Sequence, residues 1–571
     1  MRPATVSRLT MAAAALMCLL LAFHPPAAEA ASYTKISGAG STWSSNALDQ
    51  WRRNVASNSG MTVNYAALGS SVGREQFKNG TADFAVSEIP YGLTEGGARD
   101  APPKRGYAYM PIVAGGTAFM YNLRIGGKKV TNLRLSGEVV TKIFTGKISM
   151  WNAQEIRADN PGLDLPARRV VPVVRSDGSG TTAQLTTWMA KEHGGLWNDY
   201  CRRAGRSTPC GMTSYFPLVP GSSHIAKSGS LGVSGFTKQG HAEGAITYVE
   251  YSYATTTGFP VAKLLNAAGY YVEPTASSVA VALLKARINE DRNSENYLTQ
   301  ILDGVYRSSD RRTYTLSSYS YMVVPTKAEQ PFTTAKGRTL GTFANYFLCD
   351  GQQQAEELGY SPLPKNLVEA GFAQVRRIPG APTGSIDITK CRNPTFSSDG
   401  SNTLAKNAPY PKACDKRGPT QCSDGTAGAK EETPVKPAAS GGGSGGANGG
   451  GGAGDGGGTA SGGATGGAAT AGSAGSSTGG ATGAGGAAGD TAGSATGGGV
   501  VDPDTGELIG VGGAGDTSVA ANPVTLAAGE SGGLRGALMA LSAVLLIGVV
   551  VGPPLTARAL AARGRRKEGS R

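Results

Sequence analysis

Histidine is scarce in this chain of 571 residues, which has only four. No HExxH pair and no doubled CxxC occurs, so a metal site is not expected. No GxxxxGK(S/T) is present, and Gly38-Ala39-Gly40 lacks the third glycine of a dinucleotide fingerprint. The common nucleotide cradles are therefore missing, and no cofactor is expected. Positive charge is modest outside the two ends. Of the formal +13, residues 558–571 hold +5 and the leader +1, which leaves about +7 and no case for nucleic acid. From Ser440 to Gly499 apolar bulk is almost absent. Gly, Ala, Ser and Thr cannot bury enough surface to offset the cost of ordering, so this stretch reads as a flexible tether.

The chain ends read as export and anchoring. Residues 1–30 have Arg2 and Arg8, an apolar Met11–Phe23 run and Ala28-Glu29-Ala30 as a small-x-small cleavage site, the pattern of a signal peptide. Leu16-Met17 before Cys18 lacks the small residue of a lipobox, so Cys18 leaves with the leader. At the other end, Gly536 to Ala557 is apolar for about a bilayer's width, with Pro553-Pro554 near its inner end. We expect a linker at 426–533, a transmembrane helix at 534–557 and a basic cytoplasmic tail at 558–571. The protein would then be single-pass in the cell membrane with its bulk outside. No LPxTG-like sorting motif precedes the span. The tether from Ser440 to Gly533 would have an r.m.s. reach of roughly 50–60 Å.

Six cysteines remain after Cys18, an even number in an exported chain, which favours disulfides. Cys201 and Cys210 are near neighbours, as are Cys414 and Cys422, and Cys349 and Cys391 are left for each other. Six cysteines allow fifteen pairings, so the two local pairs are the better supported.

The chemistry gathers in one recurring pattern. Val173-Val174-Arg175-Ser176-Asp177-Gly178-Ser179-Gly180-Thr181-Thr182 is a β-branched run ending in a Ser/Gly loop, with a helix expected over Ala183–Lys191. A helix start exposes backbone N–H groups and carries about half a positive charge, so it suits an anion. Arg175 adds a planar fork of donors, and Asp177 stands close enough to hold it. Ile36-Ser37-Gly38-Ala39-Gly40-Ser41-Thr42-Trp43 repeats the pattern before a helix through Ala47–Trp51. Val63 to Gly73 repeats it again, with Arg74 to Lys78 opening a third helix. Three such loops could bind a small anion largely with neutral dipoles.

A rival reading exists for the second loop. Gly69-Ser70-Ser71-Val72-Gly73 matches G-x-S-x-G, a nucleophile elbow, and His193, His224 and His241 follow as possible bases without a marked acid. An acidic residue weighs on the other side. Thr81-Ala82-Asp83-Phe84-Ala85-Val86-Ser87-Glu88 reads as a strand ending in a carboxylate. Beside donor loops, Glu88 makes sense if the anion still carries a proton, as hydrogen phosphate does; sulfate has none to give and would be repelled.

These blocks, in this order and spacing, resemble the phosphate-binding proteins of ABC transporters. The resemblance runs over about residues 34–390. Phe144-Thr145-Gly146-Lys147-Ile148 with Trp151, Asn160-Pro161-Gly162-Leu163 and Gly244 to Tyr251 support it, and Arg175–Thr182 is its most specific part. It implies extracytoplasmic capture of inorganic phosphate by a non-enzymatic, monomeric receptor that delivers to the permease subunits of an importer. It also implies a phosphate site made of Thr42, Trp43, Ser70, Glu88, Arg175, Ser179, Gly180 and Thr181, with Asp177 pairing the arginine. Two departures stand out. The family commonly has Phe where Trp43 stands and Asp where Glu88 stands, and the extra methylene of Glu88 pushes its carboxylate deeper. The alternatives are a phosphate-ester hydrolase using the same cleft and a surface-display or adhesive protein.

The implied fold is α/β and two-lobed, periplasmic-binding-protein-like of type II, with hinge crossovers. We expect residues 32–117 and 317–395 in lobe 1 and 118–316 in lobe 2. Ile112–Ala118 would leave the first lobe and Tyr319–Pro325 return, and the helix Thr339–Leu348 completes it. Alternating helix and strand patterns agree with α/β layers. Residues 396–425 read as an irregular, disulfide-containing extension.

Overall fold

Each β-branched run that ends in a Gly/Ser loop is a strand, and each loop feeds a helix. In the computed structural model, residues 33–437 are described apart from 96, 97, 383, 385–387 and 398, together with 500–501 and 508–509. The signal peptide, the transmembrane helix, the basic tail and most of the linker expected above lie outside the described residues. Among the described residues no helix is long and apolar enough to cross a membrane. The chain divides into two compact units, Met1–Gly463 and Ala464–Arg571. In the second, Val500–Val501 pairs antiparallel with Leu508–Ile509.

The first unit contains, in chain order, β1 (Ile36–Gly40), α1 (Ser45–Ser59), β2 (Val63–Ala66), α2 (Ser70–Lys78) and β3 (Phe84–Ser87). The long β4 (Tyr107–Tyr121) follows, then β5 (Val171–Arg175), α3 (Gly180–Glu192), β6 (Ile225–Lys227), α4 (Gly229–Thr237) and β7 (Ala245–Glu250). The central return strand is β8 (Ser317–Pro325), followed by α5 (Thr334–Leu348). Eight strands run across one sheet in the order β6-β5-β7-β4-β8-β3-β1-β2. The triplets β2-β1-β3 and β6-β5-β7 are parallel, as strands joined by crossover helices must be. The middle is antiparallel: β8 lies along β4 from Ser317↔Gly116 to Pro325↔Tyr107, and pairs with β3 through Tyr321↔Ser87. The segments expected to leave and re-enter the first lobe are thus neighbouring central strands.

The inner strands β1, β3, β5 and β7 are buried almost throughout, whereas the edge strands β2 and β6 are partly exposed. β4 is buried from Ala108 to Tyr121. α1 turns Leu48, Trp51 and Val55 inward at helical spacing and leaves Arg53 outside. Gly115 marks a close approach in β4: a Cβ there would lie 2.8 Å from the Trp43 ring and 3.0 Å from Glu250 Oε1. Only glycine lets the first loop and β7 pack this closely on the central strand.

Helix starts differ from the sequence reading in one direction. α3 starts at Gly180, not Ala183, because Ser179 caps it by accepting from Thr182 N at 3.2 Å. α2 starts at Ser70 rather than Arg74, and α5 at Thr334 rather than Thr339, where Thr333 accepts from Lys336 N. The hydroxyl-rich loop residues belong to the first turns themselves. The apolar run Val279–Leu283 closes the helix Ala276–Leu283, and Leu284 is its C-cap.

Three disulfides are formed among the described residues: Cys201–Cys210, Cys349–Cys391 and Cys414–Cys422. The extension after 395 holds a short helix, Thr403–Lys406, and a 3₁₀ turn, Ala413–Asp415. It packs against residues 129–134 and 261–263, where Lys263 Nζ donates to Asp415 Oδ1 at 2.7 Å. The sequence reading began the linker at 426, but the chain stays packed through Lys436, whose N–H donates to Gly162 O at 2.9 Å.

Candidate functional site

Three strand-to-helix turns converge because β1, β2 and β5 all present their C-terminal ends to one place. The first-turn N–H groups of a helix have no intrahelical acceptor, so three such ends concentrate donors. The structure joins them directly. Gly69 N donates to Gly40 O at 2.8 Å, Ser71 N to Gly178 O at 3.0 Å, and Gly180 N to Ser70 Oγ at 3.1 Å.

Arg175 and Asp177 form the pair the sequence suggests. Arg175 Nε donates to Asp177 Oδ1 at 2.7 Å and its Nη2 to Oδ2, while Gly229 N donates to Oδ1 at 2.9 Å. Burial pushes the Asp177 carboxyl up, but the guanidinium and the Gly229 amide outweigh it and hold it below its ordinary value. Arg175 is 3% exposed, and among the described residues Nη1 reaches only Ser230 Oγ, at 3.5 Å. It is a buried fork with donors left over. Its amide donates to Tyr248 OH at 3.1 Å, and that phenol, pushed up to about 12 by burial, also bonds Thr182 Oγ1 at 2.8 Å.

Glu88 sits at the centre, 1% exposed. Its Oε2 accepts from Ser41 Oγ at 2.7 Å and from Ser70 Oγ at 3.0 Å, and Oε1 accepts from Ser320 Oγ. Gln184 Nε2 on α3 holds the Glu88 carbonyl at 2.9 Å. Burial raises the carboxyl's pKa and the three hydroxyls pull it part of the way back. The carboxylate lies close against α3: a Cβ on Gly180 would lie 1.8 Å from Oε2.

The remaining expected residues are all buried here, with differing occupations. Thr42 Oγ1 shares a hydrogen bond with Ser230 Oγ at 2.8 Å and accepts from Ser230 N at 3.2 Å. Trp43 donates its backbone N–H to Ser41 Oγ at 3.0 Å, and its ring packs edge-on against Tyr360. Ser179 is the cap of α3. Thr181 Oγ1 is buried without a hydrogen-bond partner among the described residues. A buried hydroxyl without a partner costs about 1–3 kcal/mol, so this one marks a place where a polar ligand would be welcome. Together these residues can enclose one small tetrahedral oxyanion among neutral donors and one arginine.

Four contributors were missed. Ser41 was read as loop and is a Glu88 donor. Gly229 and Ser230 open α4 after the short strand β6, a fourth instance of the strand-loop-helix pattern that Ser228-Gly229-Ser230 could have signalled. Ser320 lies mid-strand, where no local sequence signal exists. The elbow reading fares differently. Ser71 Oγ donates to Ser214 Oγ at 3.3 Å, not to a histidine, and accepts from Arg74 Nη2. His224 Nε2 bonds Phe144 O at 2.9 Å, and His193 and His241 pack on Trp188 and Phe236.

Comparison with known proteins agrees with this architecture. The PBP superfamily domain matches residues 25–351. The phosphate-binding protein PstS of Xylella fastidiosa (strain Temecula1) is 31% identical over 345 residues, 60% of this chain and 86% of its own. PstS 2 of Mycobacterium tuberculosis is 30% identical over 60% of this chain and 87% of its own, and PstS of Haemophilus influenzae 28% over 59% and 91%. A high-affinity periplasmic phosphate-binding protein solved with phosphate covers 60% of this chain and 93% of its own, at 18% identity and a TM-score of 0.45. With the α/β sheet, the converging helix starts and these relatives in hand, the chain belongs to the PBP superfamily and, within it, to the PstS phosphate-binding proteins.

Proposed function

We propose that this protein captures inorganic phosphate outside the cytoplasm and hands it to the permease subunits of an ABC importer. One observation carries the reading. A buried carboxylate, Glu88, is set among the donors of three helix starts and a buried arginine. A site for a fully deprotonated anion has no use for such an acceptor, whereas phosphate keeps a proton at neutral pH and can donate to it. Thr42, Trp43, Ser70, Glu88, Arg175, Ser179, Gly180 and Thr181 bind the anion, with Asp177 fixing the arginine. The protein works as a monomeric receptor of two lobes, 32–117 with 317–395 and 118–316, that close about β4 and β8. It is held to the cell membrane by the 534–557 helix through the Gly-rich linker. Calorimetric titration of the full chain with phosphate and with sulfate tests the reading. Phosphate should bind, sulfate should bind far more weakly, and Arg175→Ala should lose at least tenfold in affinity, since a charged hydrogen bond is worth about 1.5–3 kcal/mol. Equal binding of the two anions would overturn it.

A further inference from the structure

Ser320 comes from the central strand β8 and from none of the three loops. Its register explains how it reaches the site. The β8–β3 ladder runs Val323↔Ala85, Met322↔Val86, Tyr321↔Ser87, and its next step sets Ser320 beside Glu88. On the other edge of β8 the pairing with β4 shifts between Ser320 and Tyr321. Ser320 faces Val113 and Tyr321 faces Pro111, so the extra residue of this bulge is Ile112 on β4, directly beside the residue that turns into the anion cradle. Ser320 is fully buried, and its hydroxyl donates to Glu88 Oε1.

Counting acceptors gives this contact its meaning. An ionised carboxylate offers about four lone-pair positions. Ser41 and Ser70 occupy both on Oε2, and Ser320 occupies one on Oε1. A single position remains. Gly180 closes the side of Oε2, because nothing larger than its hydrogen fits there. We propose that Ser320 is a positioning residue for anion discrimination, holding the Glu88 carboxylate turned so that one acceptor position is left for one proton carried by the ligand. The proposal rests on the phosphate reading above and deepens it. Without the third hydroxyl, Glu88 takes up a proton more readily, and a protonated Glu88 becomes a donor that no longer repels a protonless anion.

Few other groups compete for this role. Tyr65 from β2 and Tyr360, beyond α5, are the titratable groups facing Glu88, and burial raises both far above the working range. Across the cradle from β5, Arg175 is neutralised by Asp177. Arg74 of α2 is taken by Asp100 and Ser87.

The test follows the phosphate-to-sulfate affinity ratio of the full chain from pH 5 to 8 in wild type, Ser320→Ala, Ser320→Cys and Ser320→Thr. In wild type the ratio falls as pH drops through the Glu88 titration. In Ser320→Ala that fall is expected at a higher pH, because a donor that favours the ionised carboxylate is gone, with Ser320→Thr keeping the wild-type midpoint. Ser320→Cys, a weak donor of similar size, should move with Ala and serves if the alanine variant fails to fold. A role in packing alone would weaken both anions alike and leave the midpoint in place, and that result overturns the proposal. Carboxyl-¹³C NMR titration, with Glu88→Gln for assignment, reads the same midpoint without any ligand. Failure of wild type to bind phosphate would therefore sink the functional reading, whereas an unmoved NMR midpoint in Ser320→Ala sinks this one.

Discussion

Gly180→Ala is the most exacting perturbation of the site, because the backbone there tolerates any residue and space alone decides. The new methyl would lie 1.8 Å from Glu88 Oε2, 2.7 Å from Ser70 Oγ and 2.9 Å from Glu88 Cβ. Ordinary contact begins at 3.4 Å, so the carboxylate must retreat by more than the slack in its hydrogen bonds of 2.7 and 3.0 Å to Ser41 and Ser70. Losing one or both removes about 1.5–3 kcal/mol each, since the acceptor is charged. Alanine's helix propensity returns at most about 1 kcal/mol. The expected outcome is a domain destabilised by about 2–4 kcal/mol, read from urea midpoints, with phosphate affinity lowered about 100-fold or more by calorimetry. Unchanged midpoints with affinity within about threefold of wild type would show that Glu88 does not occupy the position described.

Other outcomes follow from single groups. Glu250 is fully buried, accepts from Ser252 N at 2.7 Å through Oε2 and has no partner for Oε1 among the described residues, so burial raises its pKa well above the ordinary 4.5. A raised folded-state value means stability is greatest below the unfolded value and is lost as pH rises from there toward the folded one. Glu250→Gln should flatten that slope in denaturant midpoints taken from pH 4 to 8, and an identical slope would refute the assignment. Deleting 534–571 should release the protein into the medium with phosphate affinity unaltered, which fractionation and titration of the medium would check.

The sequence carried much of the cradle because its parts are local. Gly/Ser loops after β-branched runs reported the three helix starts, and Arg175 and Asp177 are two residues apart. What escaped it is what only tertiary pairing creates. Ser320 reaches Glu88 through a strand register set between residues 232 positions apart in sequence. Ser230 meets Thr42 across 188 positions. Ser70 was legible as a site residue, but not that its hydroxyl would donate to Glu88 while accepting from Gly180. Helix starts were placed too late for a related reason. Ser, Thr and Gly read as loop formers, yet at a helix start they cap and fill the first turn.

The extension after residue 395 is where the sequence was least informative, and the structure assigns it a large share of the domain's integrity. It lies beyond the residues matched by the PBP superfamily domain, which end at 351. Nonetheless it satisfies groups buried within the matched part. Arg134, 1% exposed, donates from Nη1 to the carbonyls of Cys414 and Thr420 at 2.9 and 2.8 Å. Asn132 Nδ2 donates to Cys422 O at 2.8 Å, and Val261 N to Thr426 Oγ1 at 3.0 Å. Lys263 is held by Asp415, both nearly buried. Each buried polar group stripped of its partner costs about 1–3 kcal/mol, and a buried cation more. Together these rival the 5–15 kcal/mol that typically holds a domain folded. Asp415→Ala alone should cost about 3–5 kcal/mol, because it leaves Lys263 charged and unpaired. A chain ending at 437 should therefore melt as the full protein does, whereas one ending at 395 should lose its cooperative transition. If residues 31–395 melt within about 5 °C of residues 31–437, water satisfies those groups and the extension is dispensable.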